Sequence, residues 1–208
     1  DLPLERDESA YAYLGQRAGG GLAPYRGFYE MKPPFLFYGY ALLNAVFGYS
    51  AWGLRLIAWF LSLLICGGVY LIGRSLFGAK YGLLAALTMV LMSASPYVMM
   101  TFAESELLVM SLAIYGVWLL FSLLSQSSSS LQQERLRLIG AGFLIGSAVM
   151  AKQSAVFFLG FAAVALLLLA EGENMRARLG KLITRGLWFS LGAIAPVLVC
   201  LGIVWGFG

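Results

Sequence analysis

The chain contains no histidine. Imidazole acid–base catalysis and imidazole metal ligation are therefore closed to these 208 residues. Cysteine is nearly as scarce. Cys66 and Cys200 are the only two, with no disulfide framework and no metal-ligand spacing between them. Both fall in apolar runs and read as small apolar side chains. Charge is thin, at 12% of the chain, about half the share of an ordinary soluble domain. So few polar side chains cannot coat a soluble globule of this size. No signal-peptide pattern opens the sequence. It begins at Asp1 rather than Met and ends in an apolar run at Gly208. The expectation is of at least one helix before Asp1, more chain after Gly208, and no activity for this piece alone. There is no internal repeat. No basic patch is interleaved with a reading motif, so no nucleic-acid partner is expected.

What the chain has in excess is apolar length. Hydrophobic residues make up 61%, against roughly 45–50% in soluble domains. Residues 52–73, 82–100, 106–124, 138–151, 154–170 and 186–207 are apolar with few charges. Most of these runs approach the roughly 20 residues that cross a 30 Å hydrocarbon core. The pattern predicts an all-α fold, a polytopic transmembrane helix bundle over 52–208 with about six spans, part of a larger membrane domain. Before it, residues 1–51 are too polar at first to span. They read as an extracytoplasmic loop carrying amphipathic juxtamembrane helices. The runs 138–151 and 154–170 are short and separated by Lys152, so one long kinked helix is an alternative there. Gly142 and Gly146, four apart, suit close helix packing. The serine run over 125–130 reads as a flexible loop without chemistry.

The loop charges are lopsided. If the spans alternate, one side holds eight Lys and Arg, among them Arg74, Arg135, Lys181 and Arg185, against three Glu. The other holds six Lys and Arg against seven Asp and Glu. The positive-inside rule places the Arg-rich loops in the cytoplasm. Residues 1–51 and the 101–106 loop then face the other side, the periplasm or cell exterior of a bacterial inner membrane. The sequence pI of about 9.1 reports topology.

The first segment concentrates the polar chemistry. Arg6-Asp7-Glu8-Ser9-Ala10-Tyr11 reads as a helix start, with acids favoured by the dipole of the first turn. Asp7 and Tyr11, at i and i+4, share a face. Gly19-Gly20-Gly21 lacks the strand-to-helix context of a phosphate loop. Pro33 and Pro34 fix an extended entry into a helix over 35–47 and pin Lys32 at its start. Capping explains Asp7 and Glu8 without any catalysis, and headgroup anchoring explains Lys32 and Arg55 equally simply.

Taken in order, the acids Asp7 and Glu8 with Tyr11, the Gly-rich stretch, the run Ala23 to Tyr38 around Lys32-Pro33-Pro34, then Phe47-Gly48, Trp52 and Arg55, resemble a known pattern. It is similar to the first extracytoplasmic loop and second helix of GT-C type polyprenyl-phosphate-sugar-dependent glycosyltransferases. These include the protein O-mannosyltransferases and the lipid A aminoarabinose transferase. The likeness continues through the acids of "TFAESELL" and Lys152 in "GSAVMAKQSA". Met31 stands where some members have a Glu directly before Lys-Pro-Pro, with Glu30 one position earlier.

The resemblance implies an inverting transfer of a sugar from a polyprenyl-phosphate donor to a hydroxyl on a protein, lipid or glycan, next to membrane lipid. Asp7 is then the general base, with Glu8 in support and Tyr11 orienting it. Lys32, Arg55 and Lys152 are the cations for the leaving phosphate. Glu104, with Glu106 beside it, is a candidate to orient the acceptor or to hold a divalent cation. Two other readings cover the same spans, a transporter or channel segment and a noncatalytic membrane scaffold. A channel favours charges in mid-span, whereas this chain keeps them at the ends.

Overall fold

A computed structural model describes residues 4–25, 28, 30–95, 98, 100–125, 130–170, 172 and 174–206. The secondary structure of the described chain is helical apart from loops and one isolated bridge between Pro24 and Phe28. Its helices are α1 (Arg6–Gly19), α2 (Pro34–Phe47), α3 (Ala51–Phe77), α4 (Ala79–Ser93), α5 (Ser105–Ser125), α6 (Leu131–Ala151), α7 (Phe157–Leu169) and α8 (Met175–Gly206). A 3-10 turn, Gln153–Val156, precedes α7. No strand occurs among the described residues. The serine loop expected over 125–130 falls mostly on residues 126–129, outside the described residues. Asp1, Arg26, Glu171 and Glu173, used above in the charge balance, also lie outside them.

Local rules set the helix ends. Glu5 caps α1 and forms a capping box with Glu8, so two otherwise orphaned donors of the first turn are satisfied reciprocally. Pro33 stands at the N-cap of α2 and Pro34 opens the helix, as the Pro-Pro pair requires. Ser50 caps α3 through the Gly53 N–H. Gly78, at φ +92°, turns α3 into α4 where a side chain would be strained.

Three helices, α3, α5 and α8, are long and apolar enough to cross a membrane. The other expected runs are shorter as helices. α4 has 15 residues, which reach about 22 Å at 1.5 Å per residue. α7 with its leading turn is likewise a short apolar helix. α6 has 21 residues, but Glu134, Arg135 and Arg137 occupy its first two turns. Residues 138–170 are not one kinked helix. α6 stops at Ala151, Lys152 is extended at φ −153° and ψ 132°, and α7 turns back. Leu166 near the end of α7 belongs to the same apolar cluster as Leu138 near the start of α6.

Two apolar cores result. One gathers α1, α2, α3, α5 and the C-terminal end of α6 around Leu36, Phe37, Ile57 and Leu61. The other gathers α5, α6, α7 and α8 around Leu120, Leu138, Ile145 and Phe189. The Gly142–Gly146 pair does what its spacing suggests. A Cβ on Gly142 would sit 2.0 Å from the Phe189 carbonyl oxygen, and one on Gly146 2.4 Å from that of Ala193. The backbones of α6 and α8 therefore touch directly, which only small residues allow. Both cysteines are free and buried.

Candidate functional site

The loop after Thr101, the start of α5, the end of α6 and the start of α1 meet at one end of the bundle. Glu8 is the most deeply set charge there, with no exposed surface. Both of its oxygens accept from one Arg55 nitrogen at 2.9 Å. Its Oε2 also accepts the Ala103 N–H at 2.9 Å, and its Oε1 accepts the Glu5 N–H at 2.9 Å. Arg55 donates in addition to the Thr101 carbonyl at 3.2 Å and lies 4.9 Å from the Phe102 ring centre. A buried charge is tolerable only when paired and hydrogen-bonded, and this one is both. Glu8 thus clasps α1 to α3 and to the 101–103 loop, and Arg55 is engaged in that clasp.

Asp7 differs from its neighbour in every respect. Its side chain is 47% exposed, and the Tyr11 hydroxyl donates to Oδ2 at 3.3 Å. Consecutive helix residues point about 100° apart. Turning Glu8 inward therefore turns Asp7 toward the open end. Burial pushes the Tyr11 hydroxyl up to about 12, with the Asp7 charge adding to the shift and a bond to Ser105 opposing it. Tyr11 consequently remains a proton donor to Asp7 at physiological pH. The Tyr11 ring packs on Tyr40, 5.8 Å between centres, and the Tyr40 hydroxyl donates to the Ala103 carbonyl. Gly15 permits this crossing of α1 over α2, because a Cβ there would meet the Tyr40 Cβ at 2.7 Å.

Glu104 and Glu106 stand at the entry to α5. Partial burial raises the Glu104 pKa, and the charges of Glu106, Glu5 and Asp7 raise it further, while Lys152 opposes them. Those four partners locate Glu104 in the same field as Asp7. Lys152, at the break between α6 and the 3-10 turn, pairs with Glu106 Oε1. The other oxygen of Glu106 accepts from the Ser105 hydroxyl at 2.8 Å. Beside this pair lies a small cleft of about 160 Å³, polar at Glu106, Lys152 and Ser154 and apolar at Val109, Met110 and Phe158.

Lys32 comes to the same end by a different tie. Gln153, next to Lys152, donates to the Met31 carbonyl at 2.6 Å. The Tyr25 hydroxyl donates to the Lys32 carbonyl at 2.6 Å. The Lys32 ammonium has no carboxylate partner among the described residues. Among the described residues, no group of three or more His, Cys, Asp or Glu side chains is arranged to hold a metal ion.

Asp7, Tyr11, Lys32, Glu104 and Lys152 thus share one end of the bundle, whereas Glu8 and Arg55 are turned inward upon each other. Two contributors give little signal in the sequence. Gln153 fastens the Lys32 loop, and Tyr40 bolts α2 to the 103 carbonyl.

Comparison with curated proteins and with solved structures finds no match. Residues 31–200 match the family model described as dolichyl-phosphate-mannose-protein mannosyltransferase. The matched stretch contains Lys32, Arg55, Glu104 and Lys152, and begins after α1 with Asp7, Glu8 and Tyr11. A match over so much of the chain, on an all-helical apolar bundle, makes this a membrane protein that belongs to the dolichyl-phosphate-mannose-protein mannosyltransferase family.

Proposed function

We propose that the chain forms the catalytic end of a membrane glycosyltransferase that moves a sugar from a polyprenyl-phosphate donor to a hydroxyl acceptor on the extracytoplasmic face. The acceptor oxygen attacks the anomeric carbon as the bond from that carbon to the phosphate oxygen breaks. The electron pair leaves with the polyprenyl phosphate, the acceptor proton passes to Asp7, and the configuration inverts. A carboxylate in this role contributes typically 10²–10⁴-fold. Lys32 and Lys152 compensate the negative charge that grows on the leaving phosphate. Glu104 orients the acceptor. The cleft beside Lys152 is amphiphilic, which suits a phosphate attached to a lipid tail, and its 160 Å³ fits the phosphate rather than the whole glycolipid.

The observation that carries this reading is the sorting of two adjacent carboxylates. Glu8 has all its capacity consumed by Arg55 and two backbone N–H groups, while Asp7 is open and held by a tyrosine donor. The test is glycosyl transfer by the full-length protein from a polyprenyl-phosphate sugar. Asp7→Asn keeps the shape and removes the base, so turnover should fall by about 10²–10⁴-fold with donor affinity unchanged. Turnover near the wild-type value would end the assignment. The proposed face is tested separately in intact cells. A cysteine at exposed Gly20 should react with an impermeant thiol reagent and one at exposed Lys80 should not. The reverse pattern inverts the topology.

A further inference from the structure

The opposite end of the bundle carries a second cleft, remote from the proposed chemistry. α6 begins there and, at about 1.5 Å per residue, climbs about 30 Å to reach Lys152. Leu131, Arg135, Leu138, Lys181, Thr184 and Trp188 line a cavity of about 310 Å³ between α6 and the start of α8. Glu134, also on its wall, is neutralised by Arg185, which in turn donates to the Leu169 carbonyl. Two cations are left over. The Arg135 guanidinium carbon lies over the Trp188 ring, 5.2 Å from its centre. Lys181 has no carboxylate partner among the described residues.

Depth fixes what such a cleft meets. α8 has 32 residues, about 48 Å of helix against a hydrocarbon core of about 30 Å. Its polar first turns, with Arg176, Arg178, Lys181 and Arg185, therefore project beyond the core, and Trp188 stands where the sequence turns apolar. Tryptophan favours that interfacial level. The cleft is cationic on its outer rim and apolar on its inner wall, and it opens at headgroup depth.

We propose that this cleft binds the headgroup of an anionic phospholipid. Arg135 and Lys181 take the phosphate, and the first acyl carbons lie along Leu138 and Trp188. Basic pockets between helices at the cytoplasmic surface recognise lipid headgroups by this combination. The proposal does not depend on the glycosyltransferase reading.

The experiment uses the full-length protein in neutral detergent, titrated with phosphatidylglycerol or with phosphatidylcholine, and reads retained lipid by native mass spectrometry. Phosphatidylglycerol should be retained and phosphatidylcholine should not. The double variant R135Q/K181Q should bind phosphatidylglycerol about 30-fold more weakly, from the loss of two cations near the surface. The charge-matched control K80Q/R176Q, at exposed positions outside the cleft, should bind within about twofold of wild type. Equal weakening in both double variants would show general attraction and overturn the site. Equal retention of the two lipids, or full displacement of phosphatidylglycerol by millimolar inorganic phosphate, would overturn the lipid assignment. Should R135Q/K181Q fail to purify with wild-type helicity, K181Q alone carries the same comparison, with about fivefold weakening expected. An unchanged affinity in K181Q would refute the proposal.

Discussion

The two ends of the bundle use the same device to different effect. At one end Glu8 pairs with Arg55 and Glu106 with Lys152. At the other Glu134 pairs with Arg185. Each pair ties distant helices together, and each is surrounded by charges that it does not consume. Around the first two remain Glu104, the cation Lys32 and Asp7, whose ion pair is a loose one at 3.6 Å with the exposed Arg6 beside it. Around the third remain the cations Arg135 and Lys181. The pairs differ in depth as well. Glu8 is wholly buried and Arg55 nearly so, whereas Glu134 and Arg185 each keep about a fifth of their side chains exposed. The lesson is that the buried pair fixes geometry while charges in more open positions, Lys152 beside its cleft among them, are left for ligands.

The sharpest way to break the comparison is to remove one acid from each end. Glu8→Gln leaves the Arg55 guanidinium buried without its counter-charge, and that class of change costs about 3–5 kcal/mol of stability. It should appear as a large drop in the thermal midpoint of the full-length protein. Asp7→Asn should leave that midpoint near wild type although it abolishes most turnover. A stable Glu8→Gln protein would show that α1 is not clasped as described. Next in size is Lys32→Met. Losing a charge-assisted contact of about 1.5–3 kcal/mol should weaken donor binding by about 10- to 100-fold. Unchanged donor affinity would leave Lys32 as an anchor only. At the far end, Glu134→Gln should cost less than Glu8→Gln, because water reaches about a fifth of each side chain of that pair. A loss as large as that of Glu8→Gln would erase the distinction between the ends.

The smallest effect is a pH dependence. Burial and neighbouring acids raise the Glu104 pKa above its ordinary value of 4.5. A group with a raised folded pKa contributes stability below its unfolded pKa, and that contribution is lost as pH rises through the folded value. The wild-type protein should therefore lose a little stability as pH climbs from below 4.5 through the raised pKa of Glu104. Glu104→Gln should flatten that slope, measured by thermal unfolding across the acid range. An identical slope in the variant would place Glu104 outside the acidic field of Asp7 and Glu106.

Much of the architecture was legible because it is written locally. Apolar length marked the helices, the Pro33-Pro34 pair opened α2, the acids opened α1, and the Gly142–Gly146 spacing marked a close helix contact, though not its partner. The i to i+4 relation of Asp7 and Tyr11 also needed only helix geometry. The partition between Asp7 and Glu8 was not legible. It depends on which face α1 turns toward Arg55, 47 positions away, and toward Ala103, 95 positions away. Nothing local encodes those distances. For the same reason the pairing of Arg55 with Glu8 was not legible. The run over 82–100 outlasts α4 because its apolar residues continue past Ser93, where the helix ends, and the run over 154–170 outlasts α7 because it begins inside the 3-10 turn Gln153–Val156.

The Glu8 clasp has a consequence in time. A ribosome delivers Glu8 well before Arg55 and 95 residues before Ala103. At roughly 5–20 residues per second, the last of its partners emerges about 5–20 s later. Until then the carboxylate keeps its water, since burying it alone would be costly. α1 therefore stays undocked while α3, α4 and the loop before α5 are laid down, and settles only when they are in place. Asp7 faces the open end only once Glu8 has been drawn inward, so the proposed base takes its place after the 101–103 loop although it is made before that loop.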